Sequence, residues 1–226
     1  MRILAVADHV DPIVYSPAIK ERFPDVDIVL GAGDLPMDYY DYIVSCLNRP
    51  LVFVFGNHNL RYLEFFGGKT DALSAAGARS QGSSRRMPGG IYVDRTVRKI
   101  RGLLIAGLGG SPWYNGGPNQ FREAEMRRRA FFLVPRLLWN RLVHGRHLDV
   151  LLTHSPPFGV GDGPDRAHQG FRCLLWFIRR FKPRYLIHGH VHLYDRNQER
   201  FLRYEQTSVV NAYDHVVVDI EEPTSG

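Results

Sequence analysis

Residues 28–34 read Ile28-Val29-Leu30-Gly31-Ala32-Gly33-Asp34. A short apolar run without alternation predicts a strand buried on both faces. Gly33 then permits a sharp turn, and Asp34 follows at the strand's carboxyl end. The same pattern recurs on either side. Upstream, the run 3–7 ends in Asp8-His9. Downstream, 51–55 ends in Gly56-Asn57-His58-Asn59, 150–153 in Thr153-His154-Ser155-Pro156-Pro157, and 185–188 in Gly189-His190-Val191-His192. Further strand-length runs lie at 103–107, 208–211 and 215–220, and helix-like stretches at 17–23, 39–47 and 170–181. The alternation of strand and helix in the first half predicts an α/β fold with parallel strands. The short link Ala212-Tyr213-Asp214 predicts an antiparallel hairpin between the last two runs. Residues 77–90, rich in Gly, Ser and Arg, read as a loop. Residues 116–144 read as a turn followed by a basic, aromatic-rich segment that Pro135 divides.

The bulk numbers narrow the class. The chain has 226 residues, 44% hydrophobic and 23% charged, ordinary values for a globular protein with a real core. No repeat or linker divides it, so 1–226 is expected to form a single domain. No apolar run approaches the roughly 20 residues of a membrane span. The first eight residues end in Asp8, not in a small-residue cleavage site, and read as a buried strand. No membrane association and a cytoplasmic location are therefore expected. Cys46 and Cys173 are too few for a disulfide scaffold and lack metal-type spacing. The net charge is +6, and arginine far outnumbers lysine, with clusters at Arg85-Arg86, 95–101, Arg127-Arg128-Arg129 and Arg179-Arg180. Such a surface attracts anions, including phosphate esters and nucleic acid. Short clusters without interleaved aromatics favour solvated helix faces over a single-strand groove.

Ligands of open α/β sheets collect at the carboxyl ends of strands. Here five strand ends deliver Asp, Asp, Asn-His, His and His-x-His to one edge. Oxygen and imidazole donors without thiolates suit Mn, Fe or Zn. A carboxylate placed between two ions can bridge them, and such a pair clamps an in-line displacement at phosphorus. Gly33, Gly56 and Gly189 leave room near the ions.

Four blocks, Gly33-Asp34, Gly56-Asn57-His58, His154 and Gly189-His190-Val191-His192, resemble in order the signature of the calcineurin-like metallophosphoesterase superfamily. Gly107-Leu108-Gly109-Gly110-Ser111 resembles a further family stretch. The resemblance implies two packed mixed β-sheets flanked by helices, a four-layer α/β/β/α sandwich. It implies two divalent metal ions, with Asp34 bridging. Asn57, His154 and His190 would complete one site, and Asp8 and His192 would hold the other. His58 would stabilise charge at the phosphate or protonate the leaving oxygen, with attack by a metal-bridging hydroxide. A small phosphate ester is the expected partner, most simply a phosphodiester, and the oligomeric state is left open.

One departure stands out. The family pattern places His two residues after the first Asp, and this chain has Val10 there. Three readings follow: two ions with one ligand fewer, direct substitution by His9 or Asp11, or a weak and mostly empty first site. Asn59 also stands where an acid is common, so His58 lacks a charged neighbour. His168 in the Gly-Pro-rich loop after His154 is a candidate phosphate contact, and Asp162 and Asp165 read as loop caps. His188 reads as a core or supporting histidine. Trp113, Tyr114 and Asn115 form either a cleft wall or a packed loop. Two rival functions stay open: a degenerate metal- and phosphate-binding protein without turnover, favoured by Val10, and a nuclease, favoured by the basic surface.

Overall fold

The computed structural model describes residues 1–63, 90–194 and 198–221. Arg85-Arg86 and all but the last residue of the expected loop 77–90 lie outside the described residues. Eight strands occupy the apolar runs read from the sequence. They are β1 (Arg2–Ala7), β2 (Ile28–Gly31), β3 (Leu51–Phe53), β6 (Leu103–Leu108), β9 (Val150–Thr153), β10 (Tyr185–His188), β12 (Thr207–Asn211) and β13 (Asp214–Asp219). The strands β4 (Gly90–Tyr92), β5 (Val97–Ile100), β7 (Ser111–Pro112), β8 (Gln120–Phe121) and β11 (Phe201–Tyr204) join them.

One sheet has the order β13-β1-β2-β3-β4 and the other β11-β12-β10-β9-β6-β5, with β7 and β8 forming a separate small ladder. Strands β1 to β4 run parallel, as do β6, β9, β10 and β12. The antiparallel strands β13, β5 and β11 lie at the margins. The expected hairpin between the last two runs is a correction. Strand β12 pairs with β10 and β11, whereas β13 crosses to the other sheet and pairs with β1. The link 212–214 is a crossover between layers, because both flanking strands have apolar residues to bury in the shared core.

That core explains the unbroken hydrophobic runs. Ile3, Ala5, Leu30 and Val52 of one sheet meet Ile105, Leu152, Ile187 and Val210 of the other. The alternate residues point outward beneath helices. Leu4, Val6 and Val29 pack under α1 (Ile19–Arg22) and α2 (Met37–Leu47), against Tyr39, Tyr40 and Ile43. Leu104, Leu151 and Leu186 pack under α3 (Glu123–Phe131), α4 (Val134–His144) and α5 (Arg172–Phe181), against Met126, Leu137 and Phe177. The result is the four-layer α/β/β/α sandwich. Pro135 falls in the first turn of α4, where its missing N–H is no loss. Among the described residues no helix is long and apolar enough to cross a membrane.

Candidate metal centre

The strand order places the ends of β1, β2 and β3 beside those of β9 and β10, across the interface of the two sheets. The backbone there is unusual. Asp8, Asp34, Asn59 and His190 all have left-handed φ, 65°, 59°, 52° and 67°. Asp8 and His190 each lie at the centre of a three-residue turn. His9 N–H donates to Ala7 O at 2.7 Å, and Val191 N–H to Gly189 O at 2.8 Å. Such turns with positive φ are strained and persist where their surroundings hold them. Here the two turns hold each other, since His190 N–H donates to both Asp8 carboxylate oxygens, at 3.1 and 2.9 Å.

Asp34, His154 and His190 are buried, and each offers a ligand atom within 4.8 Å of the other two. Asp34 Oδ1 accepts the His58 backbone N–H at 2.7 Å, and its Oδ2 lies 3.3 Å from His154 Nε2. His154 Nδ1–H donates to Ala32 O at 2.8 Å. This aims Nε2 at Asp34 and at Asn57 Oδ1, 3.2 Å away. A backbone bond to the far nitrogen is the usual way to orient a ligating histidine. His190 Nε2 lies 2.7 Å from Ala167 O, so that nitrogen carries the proton and Nδ1 keeps the lone pair. Asn57 Nδ2 donates to Tyr114 Oη at 3.0 Å.

The space around these groups fits an ion cradle. A Cβ on Gly56 would stand 2.1 Å from Asp34 Oδ1 and 2.4 Å from His154 Cε1. One on Gly189 would stand 2.5 Å from Asp8 Oδ2. Only glycine lets the backbone come so close to the carboxylates.

Protonation is consistent with the same use. Burial pushes the Asp34 carboxyl up, but the His154 charge and hydrogen bond win and hold it down to about 2. Burial opposes the His154 charge, yet Asp34 and Asp8 carry its pKa up to about 9. Burial and the His154 charge hold His190 down to about 3. Burial raises Asp8, with His154 opposing and Asp34 adding, to about 7. Without metal at neutral pH, Asp34 is therefore ionised and His190 neutral, and His154 alone of the three carries a proton an ion must displace. The apparent affinity for a first divalent ion is expected to rise about tenfold per pH unit up to about pH 9 and flatten above it. Titrating Mn²⁺ calorimetrically at pH 6, 7, 8 and 9 measures this, and a pH-independent affinity would contradict it.

The remaining candidates are placed less tightly. His192, half-buried, has Nδ1 2.9 Å from Tyr194 Oη and its ring 4.9 Å from that of Tyr213. It is outside the cluster of three. His58 is exposed at the rim, tied to Asp34 through its backbone. His168 has its ring 5.4 Å from that of His190, with Nδ1 2.8 Å from Asp165 Oδ2. Asp165 and Asp162 are loop caps, accepting backbone N–H groups of Ala167, His168 and Gly170. His188 is buried, and burial holds its pKa down to about 4, in keeping with a supporting place in β10. Val10 packs against the apolar cluster beneath the first sheet. His9 turns outward to Asp214, 2.8 Å away. Asp11 is buried but caps Ile13 N–H and pairs with His215. Asn59 donates to the Asp34 carbonyl at 2.8 Å, which secures the strained turn.

Of three supports, sequence reasoning named Tyr114 only as a possible cleft wall and did not name the other two. Tyr114 steadies Asn57, the Ala167 carbonyl sets the His190 tautomer, and Asn119 Nδ2 holds Gly56 O at 2.5 Å. Only Tyr114 carried a signal, an aromatic just after the Gly109-Gly110 turn. Backbone acceptors leave none.

Two packed sheets thus bring carboxylate, amide and imidazole donors to a shared edge. The calcineurin-like phosphoesterase family model matches residues 1–194, and the chain belongs to that family. It is 28% identical over 216 residues to the UPF0046 protein T07D4.2 of Caenorhabditis elegans, covering 82% of this chain and 52% of that protein. It is 25% identical over 217 residues to metallophosphoesterase domain-containing protein 1 of Homo sapiens, covering 84% and 60%. The chain thus spans between 52% and 60% of the length of these relatives. Among solved structures, TT1561 of Thermus thermophilus shares the fold with a TM-score of 0.59 at 18% identity, over 94% of this chain and 89% of that one.

Proposed function

We propose that the protein hydrolyses a small phosphodiester with the help of two divalent ions. The observation that carries this is the convergence of Asp34, His154 and His190 donor atoms from separate strand ends within 4.8 Å. In this reading Asp34, Asn57, His154 and His190 would hold one ion, and Asp34, Asp8 and His192 would hold the other. Bound divalent ions would supply Lewis-acid polarisation of the phosphoryl group and a more acidic water. The chain does the rest. Ala32 O and Ala167 O fix the two imidazoles, so little reorganisation is needed on binding. His58, with an exposed ring and a backbone tied to Asp34, is the group offered to the departing ester oxygen as general acid. His168 and the Asn57 amide are offered to the phosphoryl oxygens.

The test is elemental analysis of the protein followed by hydrolysis of bis(4-nitrophenyl) phosphate with added Mn²⁺. Metal-dependent release of nitrophenolate is expected, and none with any divalent ion would reject the reading. A second reading, a metal- and phosphate-binding protein without turnover, is favoured by one observation: Val10 packs a half-buried apolar side chain against the cluster beneath the first sheet, where the family has a ligand. One tightly bound ion per chain, with phosphate binding and no hydrolysis, is its signature.

His9→Ala is expected to change kcat by no more than about threefold, since its ring faces Asp214 at the surface. Steady-state kinetics check this. A loss on the scale of removing a metal-site support, roughly 10–100-fold, would make His9 part of the centre.

A further inference from the structure

A cleft of ≈520 Å³ is lined by none of the residues placed in the centre so far, but by their neighbours in the chain. Trp113 and Arg122 line one side, and Phe158, Arg166, Gln169 and Arg172 the other. Each wall is joined through the chain to a residue that touches the centre. Trp113 precedes Tyr114, which receives the Asn57 amide, and Arg166 precedes Ala167, whose carbonyl holds His190. Gln169 follows His168, whose ring stands over that of His190 at 5.4 Å.

Three properties point to a particular occupant. First, each wall carries a guanidinium over an aromatic ring. The Arg122 Cζ lies 5.3 Å from the Trp113 ring centroid, and the Arg172 Cζ lies 3.7 Å from that of Phe158. Stacking holds the planar fork while leaving its N–H groups free to face an anion. Second, the charge is unbalanced. Among the described residues, none of the ion pairs involves Arg122, Arg166 or Arg172. The one acid of the cleft, Glu123, is committed to the backbone N–H groups of Arg172 and Cys173, at 3.0 and 2.6 Å. Third, the walls are rigid. Trp113 is 41% exposed, yet its backbone N–H donates to Phe121 O, and the next two backbone N–H groups both donate to the buried Gln120 Oε1. The opposite wall is pinned by Phe158 N–H to Phe171 O and Gly163 N–H to His168 O. An exposed indole on a fixed ladder is a preorganised stacking platform.

We propose that this cleft is the subsite for the organic part of the substrate, and that it takes an aromatic ring bearing a second anionic group. The assignment rests on the phosphoesterase reading above and names its substrate class: the ring lies on Trp113, and the second anion is met by Arg166 and Arg172. A phosphodiester with a bare alkyl group, or a ring without another charge, would leave part of the cleft unused.

The test uses three probes that lack a phosphodiester bond, titrated by calorimetry on the Mn²⁺-loaded protein with their integrity checked afterwards by chromatography: inorganic phosphate, thymidine 5′-monophosphate and thymidine 3′,5′-bisphosphate. Affinity should rise at each step, by about tenfold for the ring, in line with stacking on an exposed aromatic, and by about fivefold or more for the second phosphate. Trp113→Ala should remove the first increment and Trp113→Phe restore it. Arg166→Gln and Arg172→Gln should each reduce the second, with inorganic phosphate binding unchanged in all four variants. Equal affinity for the three probes, or variants that keep both increments, would overturn the subsite, as would failure of the bisphosphate to bind at all. Bisphosphate binding that follows this pattern in a protein unable to hydrolyse any phosphodiester would support the subsite and reject the hydrolase reading instead.

Discussion

Asp34→Asn is expected to lower metal-dependent phosphodiester turnover by about a thousandfold, the upper end of what removal of one preorganised electrostatic element costs. The substitution preserves shape, so the His58 backbone N–H keeps an acceptor. What it removes is the charge. Asp34 is held ionised, with its pKa down at about 2, by His154 and the His58 N–H, and it is the carboxylate of the three-residue cluster. An amide there turns N–H donors toward His154 Nε2 and toward any cation. The measurement is kcat at saturating Mn²⁺ together with the metal content after dialysis. Both should fall. Loss of turnover with full metal content would mean that Asp34 acts on the substrate and is not a ligand. Retained turnover would remove it from the centre.

Gly56→Ala is expected to be nearly as damaging, about a hundredfold or more in kcat, although the added group is one methyl. Its Cβ would fall 2.1 Å from Asp34 Oδ1 and 2.4 Å from His154 Cε1. Neither neighbour can yield cheaply. Asp34 sits in a left-handed turn whose carbonyl is held by Asn59, and His154 is fully buried with Nδ1 bonded to Ala32 O. Overpacking of this kind costs about 1–3 kcal/mol, so the protein should still fold, with a lowered Tm. Comparing kcat and Tm in the same preparation separates the two effects. Wild-type kcat would show that the ligands do not need this close approach.

The fold was legible where both faces of a strand are buried. The run 28–31 and its counterparts show no alternation, because one set of side chains enters the core between the sheets and the other lies under a helix. Strands lacking that signature were invisible from composition. Strand β11 alternates between exposed and half-buried residues at a sheet margin, and β7 and β8 have two residues each. The hairpin misreading has the same root. A three-residue link looks identical whether the chain folds back in its own sheet or steps to the next layer, and only tertiary packing decides.

In the site, residue type and strand-end position were sufficient to nominate Asp34, Asn57, His154 and His190, which come together. His192 lies outside that cluster, its Nδ1 2.9 Å from Tyr194 Oη, and its place at a second ion belongs to the proposal. The fate of Val10, His9 and Asp11 was unreadable. The turn at Asp8 redirects the next three side chains, sending Val10 to the apolar cluster, His9 to Asp214 and Asp11 to His215.

The proposed chemistry depends on side chains from separate strands of two sheets holding a divalent cation. Anomalous diffraction from crystals soaked in Mn²⁺ locates such an ion. A strong peak is expected at about 2.0–2.3 Å, an ordinary first-row ligand distance, from Asp34, His154 and His190. A map in which that position is empty, while the ion sits elsewhere or nowhere, would contradict it.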